Sequence, residues 1–123
     1  LKRRILIIED NEQNLYLLTF LLVQNGYAVA SATEGPSGIQ KATEAPPDLI
    51  LLDIQLPAMD GYEVAQALRK TPSLARTPIV AVTSYAMPGD KEKALAAGCT
   101  GYIEKPINPE TFLGEMESHL LEE

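Results

Sequence analysis

The chain has 123 residues, 46% apolar and 22% charged, with a formal net charge of −7 and one cysteine, Cys99. That length suits one domain able to bury roughly two-thirds of its unfolded surface. The acidic balance argues against nucleic-acid binding, which calls for a basic face, and a lone cysteine excludes an intrachain disulfide and fits a reducing cytoplasm.

In chain order, Ile5-Leu6-Ile7-Ile8 reads as a buried strand. Glu9-Asp10 cuts this run off too early for a signal peptide, and no run approaches the ~18 apolar residues of a membrane span. A cytoplasmic chain is expected, and its opening on leucine suggests processing or trimming. Asn14 to Asn25 reads as a helix with Leu17, Leu18, Leu21 and Leu22 inward, stopped by Gly26. Tyr27–Ser31 is a weaker strand, and Gly35–Ala45 a short helix ended by Pro46-Pro47. Leu49–Leu52 is a third strand and Tyr62–Lys70 a helix burying Val64, Ala65 and Leu68. Ile79–Val82 is a fourth strand ending at Thr83, and Lys91–Ala97 a helix stopped by Gly98. Tyr102-Ile103 is a brief fifth strand, and Asn108-Pro109 opens a last helix in which Phe112, Met116 and Leu120 recur at a spacing of four. Alternating strands and helices with fully apolar central strands imply a doubly wound parallel sheet covered on both faces. No internal repeat or linker interrupts it, so residues 1–123 read as one domain.

The polar residues at the strand ends fit that architecture. Glu9 and Asp10 follow the first strand, Asp53 ends the third, Thr83 and Ser84 end the fourth, and Lys105-Pro106 follows the fifth. In a parallel sheet the carboxyl ends share one edge, where open α/β folds bind ligands. Three carboxylates gathered there resist full ionisation without a cation, and a few acids with room for water suit Mg²⁺. A carboxylate is also a competent nucleophile. An ammonium and a hydroxyl beside it are suited to neutralising a transferring phosphoryl group.

These segments closely resemble the receiver domain of two-component response regulators, over the whole chain. "IIEDNEQN" is similar to that family's acidic pocket, and "DLILLDIQLPAMDGYEV" to its phosphoacceptor segment with Asp53 as acceptor. "PIVAVTSYA" resembles the strand bearing the switch hydroxyl, Thr83, and "AGCTGYIEKPI" the segment with the switch aromatic, Tyr102, and the Lys105-Pro106 pair. Where the family often has Asp-Asp, this chain has Glu9-Asp10. The resemblance implies a flavodoxin-like (βα)5 fold with strand order 2-1-3-4-5. It implies Mg²⁺ held directly by Asp10 and Asp53, by the Gln55 backbone carbonyl, and through water by Glu9. It implies a cis Lys105–Pro106 bond and a histidine kinase or histidine phosphotransfer protein as phosphodonor, commonly met through the first helix. It also implies an output partner on the fourth helix, fifth strand and fifth helix, near Ala86, Met87, Tyr102 and Ile107. Such a chain is a phosphoacceptor switch, not an enzyme in the ordinary sense, with no membrane or nucleic-acid partner.

Other residues carry plainer expectations. Asp60-Gly61 reads as turn and helix-start chemistry, Pro57 as a loop former, Cys99 as a small packed hydrophobe and His119 as solvated. On the first helix, Tyr16 and Val23 fall opposite the leucine face, either as scattered surface residues or as a docking patch. Gln55 and Tyr85 are expected to flank the site and restrict water. A flavodoxin-like electron carrier fits poorly, because Glu9-Asp10 repels bare phosphate. An aspartate-nucleophile phosphatase lacks the second acid, since Gln55 stands two residues after Asp53. A receiver-like scaffold that is never phosphorylated is the remaining alternative. With no output domain after the last helix, a stand-alone regulator and a receiver from a hybrid kinase or longer regulator both remain open.

Overall fold

The apolar runs form strands where their composition places them. In the computed structural model, which describes residues 3–84 and 88–120, the strands are β1 (Arg4–Ile8), β2 (Ala28–Ala32), β3 (Leu49–Asp53), β4 (Ile79–Thr83) and β5 (Gly101–Glu104). The helices are α1 (Glu12–Gln24), α2 (Gly35–Glu44), α3 (Gly61–Lys70), α4 (Asp90–Ala96) and α5 (Phe112–Glu117), with a 3-10 turn at Pro72–Leu74. All pairings are parallel and the sheet order is β2-β1-β3-β4-β5, as expected.

Both sheet faces are covered, and the period of two along each strand divides the core. Leu6, Ile8, Ile50, Leu52, Ile79 and Ala81 pack with Val64, Ala65 and Leu68 of α3, Ala42 of α2 and Ala94 of α4. Ile5, Ile7, Leu49, Leu51, Val80 and Val82 pack with Leu18 and Leu22 of α1 and Phe112 and Met116 of α5. Consecutive residues of β1, β3 and β4 therefore serve opposite faces, which is why these strands read as unbroken apolar runs.

Two helix ends follow the same rule. After α1, Gly26 takes φ 89° and donates to the Val23 carbonyl, while the Tyr27 amide reaches the Leu22 carbonyl at 3.1 Å. After α4, Gly98 takes φ 112° and donates to Leu95, while the Cys99 amide reaches Ala94 at 2.9 Å. This is the Schellman arrangement, in which glycine tolerates the left-handed residue and the next residue packs back onto the helix. Tyr27 and Cys99 are those packed residues, so Cys99 is buried as expected and its thiol is pushed up to about 11 by burial. The same use of the Tyr27 amide delays β2 to Ala28.

Several expectations need correction. Helix α1 starts at Glu12, before Asn14, because the Asn11 side chain accepts the Asn14 amide at 2.9 Å. Only Leu18 and Leu22 of its four inward leucines are fully buried, while Leu17 and Leu21 lie at the border. Helix α5 starts at Phe112, after Asn108-Pro109, because the Asn108 carbonyl accepts the Thr111 and Phe112 amides and its side chain accepts that of Glu110. The chain makes a turn there before it becomes helical. His119 is half-buried: its ring lies over Gly101, where an added Cβ would come within 2.3 Å of Nε2. Ile107, expected at the surface, is buried with Phe112 in the second core cluster.

Among the described residues no helix is long and apolar enough to cross a membrane.

Candidate functional site

The carboxyl ends of β1, β3, β4 and the loop after β5 meet as the topology requires. Asp53 is the last residue of β3 and is 3% exposed. Glu9, just past β1, is 1% exposed, and Asp10 beside it faces solvent. One carboxylate oxygen from each of Glu9, Asp10 and Asp53 lies within 4.8 Å of the other two. Thr83 is buried at the end of β4, and its carbonyl accepts the Lys105 amide at 2.7 Å. That bond carries the Lys105 side chain over the acids. Its Nζ stands 2.8 Å from Glu9 Oε1, as an ion pair outside hydrogen-bond alignment, and 3.6 Å from Asp53 Oδ2. The Lys105–Pro106 bond is cis, as the resemblance implied.

The electrostatics of the pocket follow from crowding. Burial pushes the Asp53 carboxyl up from 3.8 to about 6, and the adjacent Glu9 carboxylate adds to the rise. The Gln55 amide, donating to Asp53 Oδ1 at 2.9 Å, and the Lys105 ammonium both act in the opposite direction. The site thus holds more negative charge than its one lysine balances. Three hard carboxylate oxygens this close form a donor set that fits Mg²⁺ better than a softer ion.

The loop after β3 is shaped to present this site. Pro57 is exposed, and its carbonyl accepts the Met59 amide at 2.7 Å across Ala58, which sits at φ 66°. Asp60 caps α3 by accepting the Glu63 amide at 2.9 Å. Gly61 is required by close approach: a Cβ there would lie 2.4 Å from Ile54 Cα and 2.7 Å from the Asp53 carbonyl oxygen. Asp60-Gly61 is therefore structural, as its turn chemistry suggested, yet it presses on the backbone of Asp53 and Ile54.

Tyr102 is half-buried and packs against the first core cluster. Tyr85, Ala86 and Met87 lie outside the described residues. A contact missed by sequence reasoning is the hydrogen bond that Ser84 Oγ donates to Gln55 Oε1 at 3.0 Å, joining the loop after β3 to the end of β4. The only available signal was that both residues sit at strand ends on the same edge.

Comparison with known proteins decides the family. A model of the response regulator receiver domain matches residues 5–117. The chain belongs to the response regulator receiver family. It is 40% identical over 118 residues to the polar-differentiation response regulator DivK of Brucella ovis, covering 96% of each chain. Among solved structures it is similar to the chemotaxis protein CheY4 of Vibrio cholerae, with a TM-score of 0.93 and 32% identity over 98% of this chain and 100% of that one. It is similar as well to the receiver domain of the sensor histidine kinase PA1611 from Pseudomonas aeruginosa, with a TM-score of 0.89 and 31% identity over 97% and 98% of the two chains. That structure carries a magnesium ion coordinated in its active-site cleft. As a receiver, the chain is a component of two-component signalling, built as a phosphoacceptor switch and not as an enzyme with turnover.

Proposed function

We propose that this receiver takes a phosphoryl group from a phosphohistidine donor onto Asp53, with Mg²⁺, and changes conformation to control a protein partner. The observation that carries the reading is the joining of Asp53 to Lys105, Glu9 and Asp10 at one sheet edge, with the ammonium 3.6 Å from the acceptor carboxylate. Asp10, Asp53 and the Gln55 backbone carbonyl are the ligands assigned to Mg²⁺, with Glu9 acting through water. When bound, the ion supplies positive charge to the phosphoryl oxygens.

This chain's residues do the remainder. An Asp53 carboxylate oxygen attacks phosphorus, the bond to the donor imidazole nitrogen breaks, and the electron pair leaves with the imidazole. Lys105 shifts from Glu9 onto a phosphoryl oxygen, exchanging one anion for another as a mobile point charge. The Thr83 hydroxyl moves toward the same group, and Tyr102 turns inward behind it. Phosphorylation thereby biases a two-state element read at α4, β5 and α5. Residues 1–123 act as one receiver domain in the cytoplasm, assisting their own phosphorylation and dephosphorylation.

Beryllofluoride, a tetrahedral mimic of an acyl phosphate, tests the switch. Added with Mg²⁺, it is expected to shift amide resonances at Asp53, Thr83 and Lys105 and also at Tyr102. Shifts confined to the site, with Tyr102 unmoved, would contradict the switch.

The donor docks along α1. Tyr16, Phe20 and Val23 are 72%, 46% and 55% exposed, and the Tyr16 and Phe20 rings stack at 6.4 Å. Their spacing of four and three makes one ridge, suited to packing against a helix. The ridge starts one turn from Asn11, at the rim of the acidic site. Changing Tyr16 and Val23 to glutamate is expected to slow transfer from the cognate donor by at least about tenfold, the equivalent of losing ~1.4 kcal/mol of contact. Phosphorylation by acetyl phosphate should be unchanged. Equal loss with both donors would point to a damaged site and contradict docking.

A further inference from the structure

We propose that a cleft between α2 and the outer strand β2 binds a small apolar carboxylate, at a site separate from Asp53. Its volume is about 410 Å³, within the roughly 300–1,000 Å³ of small-molecule sites.

The cleft arises from side-chain size. The pairing of Arg4 with Ala28 and of Leu6 with Ala30 puts Leu6 and both alanines on the sheet face that α2 covers. Helix α2 lies tight on β1 at Gly38, where an added Cβ would come within 2.5 Å of Ile8 Cδ1. Further along the helix, Lys41 and Ala45 line the cleft together with Ala28 and Ala30, whose methyls leave it unfilled. Ala30 is therefore exposed within its strand, over a floor formed by the buried Leu6.

The mouth carries two cations, Arg4 and Lys41, and neither is ion-paired to a carboxylate among the described residues. Lys41 Nζ donates to the Ser31 carbonyl, and the Arg4 guanidinium donates to the Pro46 carbonyl at 3.4 Å. The Asp48 carboxylate accepts the Arg4 backbone amide instead, at 2.7 Å. In a chain of net charge −7, two cations held by neutral carbonyls beside an apolar cleft are complementary to an anion. A ligand carboxylate gives each a charged acceptor in place of a neutral one, while its apolar body displaces water from Leu6, Ala28 and Ala30. Glu44 is the one acid at the mouth. It leaves one positive charge in excess, so the ligand is a monoanion.

The test is titration of the wild-type protein with 2-naphthoate at fixed ionic strength, followed by amide resonances. Saturable shifts are expected at Ala28, Ala30, Ser31, Lys41 and Ala45, with those of Tyr16 and Val23 on α1 unmoved. The cationic 2-naphthylmethylamine should bind at least about tenfold more weakly. Lys41→Met, an exposed change that leaves the core intact, should weaken 2-naphthoate about tenfold, the loss of one charge-assisted contact. Glu44→Gln should tighten it. Ala30→Leu fills the cleft and should abolish binding, with a well-dispersed spectrum as the check on folding. Absence of saturable shifts at these amides, equal binding of acid and amine, or wild-type affinity in Lys41→Met would overturn the proposal. Retained binding in a folded Ala30→Leu would place the ligand elsewhere and overturn it as well.

Discussion

Asp53→Asn is expected to make the Mg²⁺-free protein more stable while abolishing its function. Asp53 is 3% exposed, and its carboxyl is raised from 3.8 to about 6 by burial and by Glu9. The folded state therefore binds this proton more tightly than the unfolded chain does. The stability this group contributes is fully present below about 3.8 and is lost as pH rises through about 6. Above that pH the wild type holds a buried charge beside another acid. Asparagine removes the charge, and the rise in the Asp53 carboxyl, which already includes the attraction to Lys105, corresponds to a gain of about 3 kcal/mol at pH 7.5. Urea unfolding at two pH values without Mg²⁺ reads this directly: the gain should be present at pH 7.5 and gone near pH 4. Added Mg²⁺ at a hundred times its Kd should stabilise the wild type by about 2.7 kcal/mol and the variant by less. Equal stability of the two proteins at pH 7.5 would show that Lys105 already neutralises the pocket.

Gly61→Ala is expected to be the most damaging single methyl in the described chain. Its Cβ would stand 2.4 Å from Ile54 Cα and 2.7 Å from the Asp53 carbonyl oxygen, both backbone atoms that have no rotamer to change. The Gly61 amide also donates to the Ile54 carbonyl at 2.9 Å, so the two segments cannot part without losing that bond. Overpacking of this kind costs about 3 kcal/mol. At Gly101 an added Cβ would meet the His119 ring, which is able to swing away. Gly101→Ala should therefore cost much less than Gly61→Ala in urea unfolding. The backbone shift at Gly61 also moves Asp53, so weakened Mg²⁺ binding should accompany the loss of stability. Wild-type Mg²⁺ affinity in a destabilised Gly61→Ala would mean that the loop yields without disturbing Asp53.

The parts of this molecule legible in the sequence are those governed by local pattern. Ile5–Ile8 and Leu49–Leu52 announce buried parallel strands because both of their faces are covered, and each run breaks at the acid that enters the site. Gly26 and Gly98 mark helix ends because only the cap requires a left-handed residue. What stayed illegible depends on approach between distant segments. Arg69 looks like a solvated residue near the end of α3. Its guanidinium instead donates to the carbonyls of Leu74, Ala75, Thr77 and Gly98, tying the 3-10 turn and the loop after α4 together. Tyr27 donates to Glu117, 90 residues on, an arrangement that neither helix nor strand periodicity encodes. Within the site the same division holds. The carboxyl-edge residues could be placed from topology, whereas the Lys105 pairing with Glu9 and the Ser84–Gln55 bridge depend on side chains from separate loops meeting in space.

Intact mass after incubation with acetyl phosphate, with and without Mg²⁺, on the wild type and Asp53→Asn tests the acceptor role most directly. The account predicts a gain of one phosphoryl group that requires both Mg²⁺ and Asp53. A gain that persists in Asp53→Asn, or no gain in a wild type shown to bind Mg²⁺, would contradict it.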